Sequence, residues 1–138
     1  MEPVAQVQGG QPGQQAKQQQ VQRIEAAALP RPDAVRFFGK QDAVESWMAA
    51  ADVFVLPSTR EGFSNAIVEA LASGLPIVAS DVGGNAEAVR DGIEGRIVPP
   101  QDDGALASAL RQLWLEPTTR RAMALAATGR AREFSLPR

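Results

Sequence analysis

Two glutamates and three glycines stand out in the central part of this chain. Glu61 and Glu69 are eight positions apart, Gly62 follows the first glutamate, and a glycine pair lies at Gly83 and Gly84. An ionised carboxylate has two acceptor oxygens and can accept both hydroxyls of a cis-diol. Glycine lets the backbone approach a ligand closely. These residue types suit the binding of a sugar or a ribose, although two glutamates at this spacing are also compatible with a solvated helix face.

A strand and a helix are predicted on either side of the first glutamate. The strand reads VFVLP at residues 53–57, and the helix covers residues 64–73 and ends at Gly74. The first-turn amides of a helix have no internal partner and carry partial positive charge, so a diphosphate could bind there. Glu69 would lie within about two turns of that anion site.

The segment EGFSNAIVEA resembles the E-x7-E signature of the family 4 retaining glycosyltransferases of the GT-B fold. The surrounding segments also occur in the order that this family requires: a strand, a loop and a helix, then GLP, a second apolar strand and Gly83–Gly84. The resemblance implies the C-terminal, donor-binding domain of an enzyme that transfers a sugar from a nucleoside diphosphate to an acceptor hydroxyl. The same string favours transferases over the related nucleotide-sugar 2-epimerases, which share the layout and a glycine-rich turn.

The resemblance also implies roles for individual residues. Glu61 is expected at the donor sugar hydroxyls as the catalytic-site carboxylate, where it positions rather than attacks, and Glu69 at the ribose hydroxyls. The other donor-binding residues are expected to contribute backbone groups: Gly62, Phe63, Ser64, Asn65, Ala66, Ile67, Gly83 and Gly84. Glu87 is expected to orient its loop. No metal and no cofactor other than the donor are expected, because helix amides and basic side chains stabilise the departing diphosphate.

The length of 138 residues corresponds to about one domain, whereas a GT-B enzyme has two Rossmann-like domains. The resemblance therefore implies a partner, an N-terminal GT-B domain supplied in cis or in trans, and without it the chain is expected to be inactive. An arginine and a lysine that the family contributes to the donor phosphates are not recognisable here. The alternative interpretation is a non-catalytic nucleotide-binding or interaction module. Homo-oligomers and peripheral membrane association of the full enzyme remain open.

Composition argues against several classes of function. The net charge is −2, the aromatic content is 5%, and there is no basic run, so nucleic acid is not an expected partner. No apolar stretch approaches the about 20 residues of a membrane span, and we expect a cytoplasmic protein. Cysteine and histidine are both absent, which excludes disulfides, thiol catalysis and the usual zinc ligands.

Short apolar runs alternate with helical patterns along residues 35–138. Strands are predicted at 35–38, 53–56, 76–79 and 96–98, and helices at about 42–51, 64–73 and 85–91. This alternation predicts an α/β fold with a doubly wound, Rossmann-like parallel sheet, in which ligands bind beyond the carboxyl ends of the strands.

Two more helices are predicted near the end of the chain, and the first 34 residues are ambiguous. Asp102 and Asp103 suit a helix start, Trp114 is predicted to be core, and a last helix is expected from about Thr118 to Glu133. Residues 1–34 are rich in glutamine, which is typical of a flexible arm. We favour the alternative interpretation, in which this segment forms a strand at 4–7, a glycine-proline turn and a helix.

Overall fold

The computed structural model describes residues 5–6, 32–36, 38–39, 42–60, 62 and 64–134. Its elements, in chain order, are strand β1 (Ala5–Gln6), a short 3-10 helix (Pro32–Ala34), α1 (Val44–Ala50), β2 (Phe54–Leu56), α2 (Asn65–Ala72), β3 (Ile77–Ser80), α3 (Asn85–Ala88), β4 (Gly95–Val98), α4 (Asp103–Leu115) and α5 (Pro117–Glu133). Helices therefore separate the successive strands β2, β3 and β4.

The described strands form one parallel sheet in the order β1-β2-β3-β4. β1 pairs with β2 through Ala5 opposite Phe54, and β2 pairs with β3 through Phe54 opposite Ile77. β1 thus lies within residues 4–7, where the sequence favours a strand. The helix that the sequence favours after the glycine-proline turn lies outside the described residues.

Side chains alternate between the two faces of the sheet and form two cores. One core contains Phe54 and Ile77 with residues of α2 and α3, and the other contains Val55 and Val78 with residues of α4. Helix α5 contributes to both cores, through Met123 on one side and Ala127 on the other. Helices cover both faces, so the α/β, doubly wound class predicted from the sequence is confirmed.

Gly95 sets the spacing between β3 and β4. It lies opposite Ile77 in the register, and a Cβ atom at this position would overlap the Ile77 carbonyl oxygen. The two backbones approach more closely than any other residue type would allow. The strand predicted at 96–98 accordingly begins one residue earlier, at Gly95.

Three sequence predictions are wrong, two about elements and one about the burial of a side chain. The sequence predicts a strand at 35–38, and the three residues of this range that the structure describes, Val35, Arg36 and Phe38, lie outside any strand. Phe38 instead packs on Trp47, with ring centroids 4.1 Å apart.

The other two errors concern a helix length and a tryptophan. The helix predicted at 85–91 ends at Ala88, because Val89 is extended and buried. Trp114 is not a core residue, since 56% of it is exposed. The buried face of α4 follows Ala109 and Leu113 at helical spacing, and the next residue points about 100° away from that face.

Candidate functional site

The site predicted from the sequence begins at the amino end of α2, which follows β2 after an eight-residue connection. Ser64 is the N-cap: its backbone is extended, and its Oγ accepts a hydrogen bond from the Ile67 N–H at 3.3 Å. The helix ends at Ala72 with Ser73 as its C-cap, and Gly74 has a φ of 73°. Both helix boundaries predicted from the sequence are confirmed, so α2 points its amino end at the carboxyl edge of the sheet.

The cap changes which amides of α2 remain available. A helix leaves its first backbone N–H groups without intrahelical acceptors. The Ile67 N–H is already donated to Ser64 Oγ, and the Val68 N–H is donated to the Ser64 carbonyl. Of the three amides predicted to face a diphosphate, those of Asn65 and Ala66 are therefore the better candidates.

The glycine pair Gly83–Gly84 forms a turn at the carboxyl end of β3. Gly83 has a φ of 52°, which favours glycine, and Gly84 is the N-cap of α3. The Gly84 N–H donates to the Gly62 carbonyl oxygen at 3.2 Å. The turn after β3 and the loop after β2, which are 22 residues apart in the chain, thus meet beyond the strand ends.

Two polar side chains reinforce this junction, and sequence reasoning missed both. Ser80 is buried at the end of β3, and its Oγ donates to the carbonyl of Ser58 and lies 3.4 Å from that of Leu56. Asn85 is fully buried, and its Nδ2 donates to the Ser80 carbonyl at 2.9 Å. Its Oδ1 has no hydrogen-bond partner among the described residues. The only signal in the sequence is a polar residue directly after an apolar strand or after the glycine pair.

The described structure brings together only part of the predicted site. Gly62, Ser64, Gly83 and Gly84 gather at the loop junction and the start of α2, and Glu69 is exposed on the second turn of that helix. Glu61 and Phe63 lie outside the described residues. The residue assignments therefore stay predictions. The structure shows the loop junction between Gly62 and Gly84.

A cavity of about 360 Å³ lies beside this junction, beyond the carboxyl ends of β2, β3 and β4. It is lined by Pro57, Thr59, Ser80, Val98, Pro99, Gln101, Asp102, Asp103 and Leu106. Asp102 caps α4 by accepting the Ala105 N–H at 2.9 Å, as its position in the sequence predicts. The two aspartates make this wall acidic, so the start of α2 is the better place for a diphosphate.

Comparison with known proteins identifies the family. The sequence profile of the family described as Glycosyl transferases group 1 matches residues 6–116. The chain belongs to the group 1 glycosyltransferases. The family resemblance of EGFSNAIVEA and its surroundings is therefore confirmed, and the loop junction at Gly62 and Gly84 is part of a glycosyltransferase domain.

Individual relatives support the same assignment. The chain is 40% identical to D-inositol 3-phosphate glycosyltransferase of Streptomyces coelicolor over 121 residues. The aligned region covers 86% of this chain and 26% of that protein. The fold of this chain is similar to that of a sucrose-phosphate synthase from Thermosynechococcus elongatus, with a TM-score of 0.81 and 30% identity. The match covers 94% of this chain and 33% of the synthase. HepE of Anabaena, in complex with UDP, also gives a TM-score of 0.81, with 27% identity over 89% of this chain and 34% of HepE.

The chain spans about a quarter of the length of the curated relatives it matches. Among the described helices, none combines the length and the apolar character that crossing a membrane requires.

Proposed function

We propose that this chain is the donor-binding part of a glycosyltransferase that takes a sugar from a nucleoside diphosphate. The observation that carries the proposal is the hydrogen bond from the Gly84 N–H to the Gly62 carbonyl, in a chain that belongs to the group 1 glycosyltransferases. It joins two glycine-containing loops beyond the carboxyl ends of β2 and β3, next to the amino end of α2. Doubly wound sheets bind their ligands at this edge.

The donor would be held by three kinds of groups. The amides of Asn65 and Ala66, at the amino end of α2, would face the diphosphate, where the helix dipole favours negative charge. Glu69, exposed on the same helix, would accept the ribose hydroxyls. Gly62 and the turn at Gly83 and Gly84 would let backbone approach the sugar.

Catalysis would then be mainly electrostatic. The amides that bind the diphosphate in the donor would also stabilise the charge that develops on it as the bond to the sugar breaks. Glu61 would hold the sugar hydroxyls, so that the anomeric carbon faces the acceptor, and the sugar would be transferred with retention. The absence of a metal requirement stays a prediction.

The acceptor site would come from a second domain. The chain spans 26% of its relative from Streptomyces coelicolor, and the family's other domain would close over the carboxyl edge of the sheet. We therefore propose that this chain binds the donor and that transfer requires an N-terminal GT-B domain in cis or in trans.

Calorimetric titration tests the proposal directly. The purified chain is titrated with UDP, GDP and ADP and with their glucose or mannose conjugates, at low salt and high protein concentration. UDP is the first choice, because the Anabaena relative was solved in complex with UDP. Saturable binding of one nucleotide supports the proposal and identifies the base. A chain that is folded by circular dichroism and binds none of them at millimolar concentration contradicts it.

A variant of Glu61 separates sugar recognition from nucleotide recognition. Glu61→Ala should lower the affinity for the nucleotide sugar more than the affinity for the bare nucleotide, because only the nucleotide sugar carries the sugar hydroxyls that Glu61 would bind. Equal losses for both ligands would remove the sugar role of Glu61 and leave donor binding itself intact.

A further inference from the structure

Arg130 on α5 reaches across to the end of α3. Its Nε donates to the Ala88 carbonyl at 3.2 Å, and one terminal nitrogen donates to the Glu87 carbonyl at 2.5 Å. The other terminal nitrogen pairs with Glu133, and the guanidinium lies 4.9 Å from the centre of the Phe134 ring. The side chain is only 17% exposed, so this arrangement is largely shielded from solvent.

Helix α3 depends on contacts of this kind for its orientation. It has four residues, and a single helical turn is not stable on its own. The last carbonyls of a helix have no intrahelical partner, and a cationic donor at that end is favourable. Arg130 satisfies two of these carbonyls at once through the forked geometry of the guanidinium.

The opposite end of α3 carries the loop junction. Gly84, its N-cap, donates to the Gly62 carbonyl, and Asn85, its first residue, donates to the Ser80 carbonyl. A shift of α3 along its axis would strain these bonds, since its four residues form a single turn, only about 6 Å long, between the two ends. Arg130 thus holds one end of α3, and the glycine turn that meets the Gly62 loop lies at the other end.

We propose that Arg130 is a positioning residue for the donor sugar: it holds α3 by its last carbonyls and so fixes the glycine turn against Gly62. This inference rests on the proposed donor-binding function. It assigns a role to a residue of α5, beyond the residues 6–116 that match the family profile.

Three variants of the full chain test the inference. Arg130→Met keeps an unbranched stem and removes every donor, whereas Arg130→Lys keeps a charged donor without the fork. Arg132→Met is the matched control, because Arg132 is an exposed arginine of the same helix. Thermal unfolding first establishes that all three are folded.

The first readout needs no ligand. Amide hydrogen exchange is measured at Gly84, in the junction, and at Val78, in the core of the sheet. Arg130→Met should speed exchange at Gly84 by about tenfold or more and leave Val78 within about twofold of the parent chain, because only the local opening becomes easier. Arg130→Lys should lie between the two, and Arg132→Met should match the parent chain. Unchanged exchange at Gly84 in Arg130→Met would overturn the inference.

The second readout is the affinity for UDP and UDP-glucose, or for the nucleotide pair that the parent chain binds. Arg130→Met should lower the affinity for the sugar nucleotide about tenfold more than the affinity for the bare nucleotide, because the proposed function places the displaced turn next to the sugar. Equal affinity losses for both ligands would overturn the positioning of the sugar. If Gly84 exchanges faster but the parent chain binds no nucleotide, the proposed function fails and the assignment to a donor sugar fails with it, while Arg130 keeps a purely structural role.

Discussion

The backbone N–H of Gly84 lies 3.2 Å from the carbonyl oxygen of Gly62 and donates a hydrogen bond to it. This bond connects the loop after β2 with the turn after β3. Both loops carry residues that the E-x7-E motif and the glycine pair single out, so the contact between them is the structural basis of the proposed donor site.

The two glycines of the turn should respond differently to alanine. Gly83 has a φ of 52°, whereas Gly84 has a φ of −87°. Gly83→Ala should lower the free energy of unfolding by about 1 to 2 kcal/mol, because a Cβ is strained at positive φ. Gly84→Ala carries no such strain and is the matched control. Urea unfolding of both variants measures the difference, and equal midpoints would contradict the turn geometry.

Ser64 allows the stability of α2 to be separated from its anion binding. Ser64→Ala removes the acceptor for the Ile67 N–H and should destabilise the chain by about 1 kcal/mol. Ser64→Asp keeps a good cap and should preserve stability, yet its negative charge should weaken a bound diphosphate. Urea unfolding and calorimetry of the two variants test this pattern. Undiminished nucleotide affinity in Ser64→Asp would move the diphosphate away from the start of α2.

Gly95 should tolerate no larger residue. Gly95→Ala would force the Cβ into the Ile77 carbonyl and push β3 and β4 apart, at a cost of about 3 kcal/mol or more. Gly129→Ala provides the control, because Gly129 lies inside α5 with open space around it and alanine should stabilise that helix by up to about 1 kcal/mol. Chemical unfolding should therefore shift in opposite directions for the two variants.

Local patterns determine most of what the sequence could predict about this fold. The sequence predicts the N-caps at Ser64 and Asp102 and the glycine after α2, because each of these features depends on only a few neighbouring residues. The alternation of apolar runs with helical patterns indicated the parallel sheet for the same reason. The exposure of Trp114 was not readable, since it depends on which face of α4 meets the sheet.

The candidate site could be predicted only in part, because some of its contacts join residues that are far apart in the sequence. The motif from Glu61 to Glu69 is continuous in sequence, so its resemblance to the family could be recognised. The bonds from Arg130 to Glu87 and Ala88 join residues 43 and 42 positions apart, and no local pattern indicates them. The contact between Gly84 and Gly62 likewise depends on how two loops close over the sheet edge.

Arg90, which pairs with the buried carboxylate of Glu94, should make a contribution to stability that does not change near neutral pH. Glu94 is fully buried, and it accepts the Arg90 backbone N–H at 2.8 Å and the Arg90 Nε at 2.9 Å. The hydrogen bond and the charge of Glu94 raise the pKa of Arg90 above its ordinary value. A raised pKa means stabilisation that is complete below the ordinary value and is lost only as pH rises through the still higher folded value, far above neutral pH.

Glu94→Gln should therefore lower the free energy of unfolding by about 1 to 3 kcal/mol, through weaker hydrogen bonds, and by the same amount at pH 6 and at pH 9. Asp91→Asn is the control: Asp91 pairs with Arg96 at the surface, where an ion pair contributes at most about 1 kcal/mol, and asparagine keeps an oxygen that can accept the Ile97 N–H. Urea unfolding at both pH values measures the two differences. A Glu94→Gln effect that changes sharply between pH 6 and 9 would show that another titrating group is coupled to this pair.

Glu69 provides the sharpest test of the ribose assignment. The side chain is exposed on the second turn of α2, so Glu69→Ala should leave the free energy of unfolding within about 0.5 kcal/mol of the parent value. Loss of the two hydroxyl contacts should weaken nucleotide binding by about 1 to 3 kcal/mol, for the bare nucleotide and the nucleotide sugar alike, because both carry the ribose. Glu45→Ala, at an exposed glutamate of α1, is the control and should bind as the parent does. A 2′,3′-dideoxy nucleotide should bind Glu69→Ala and the parent chain equally, and a remaining difference between them would place Glu69 away from the ribose.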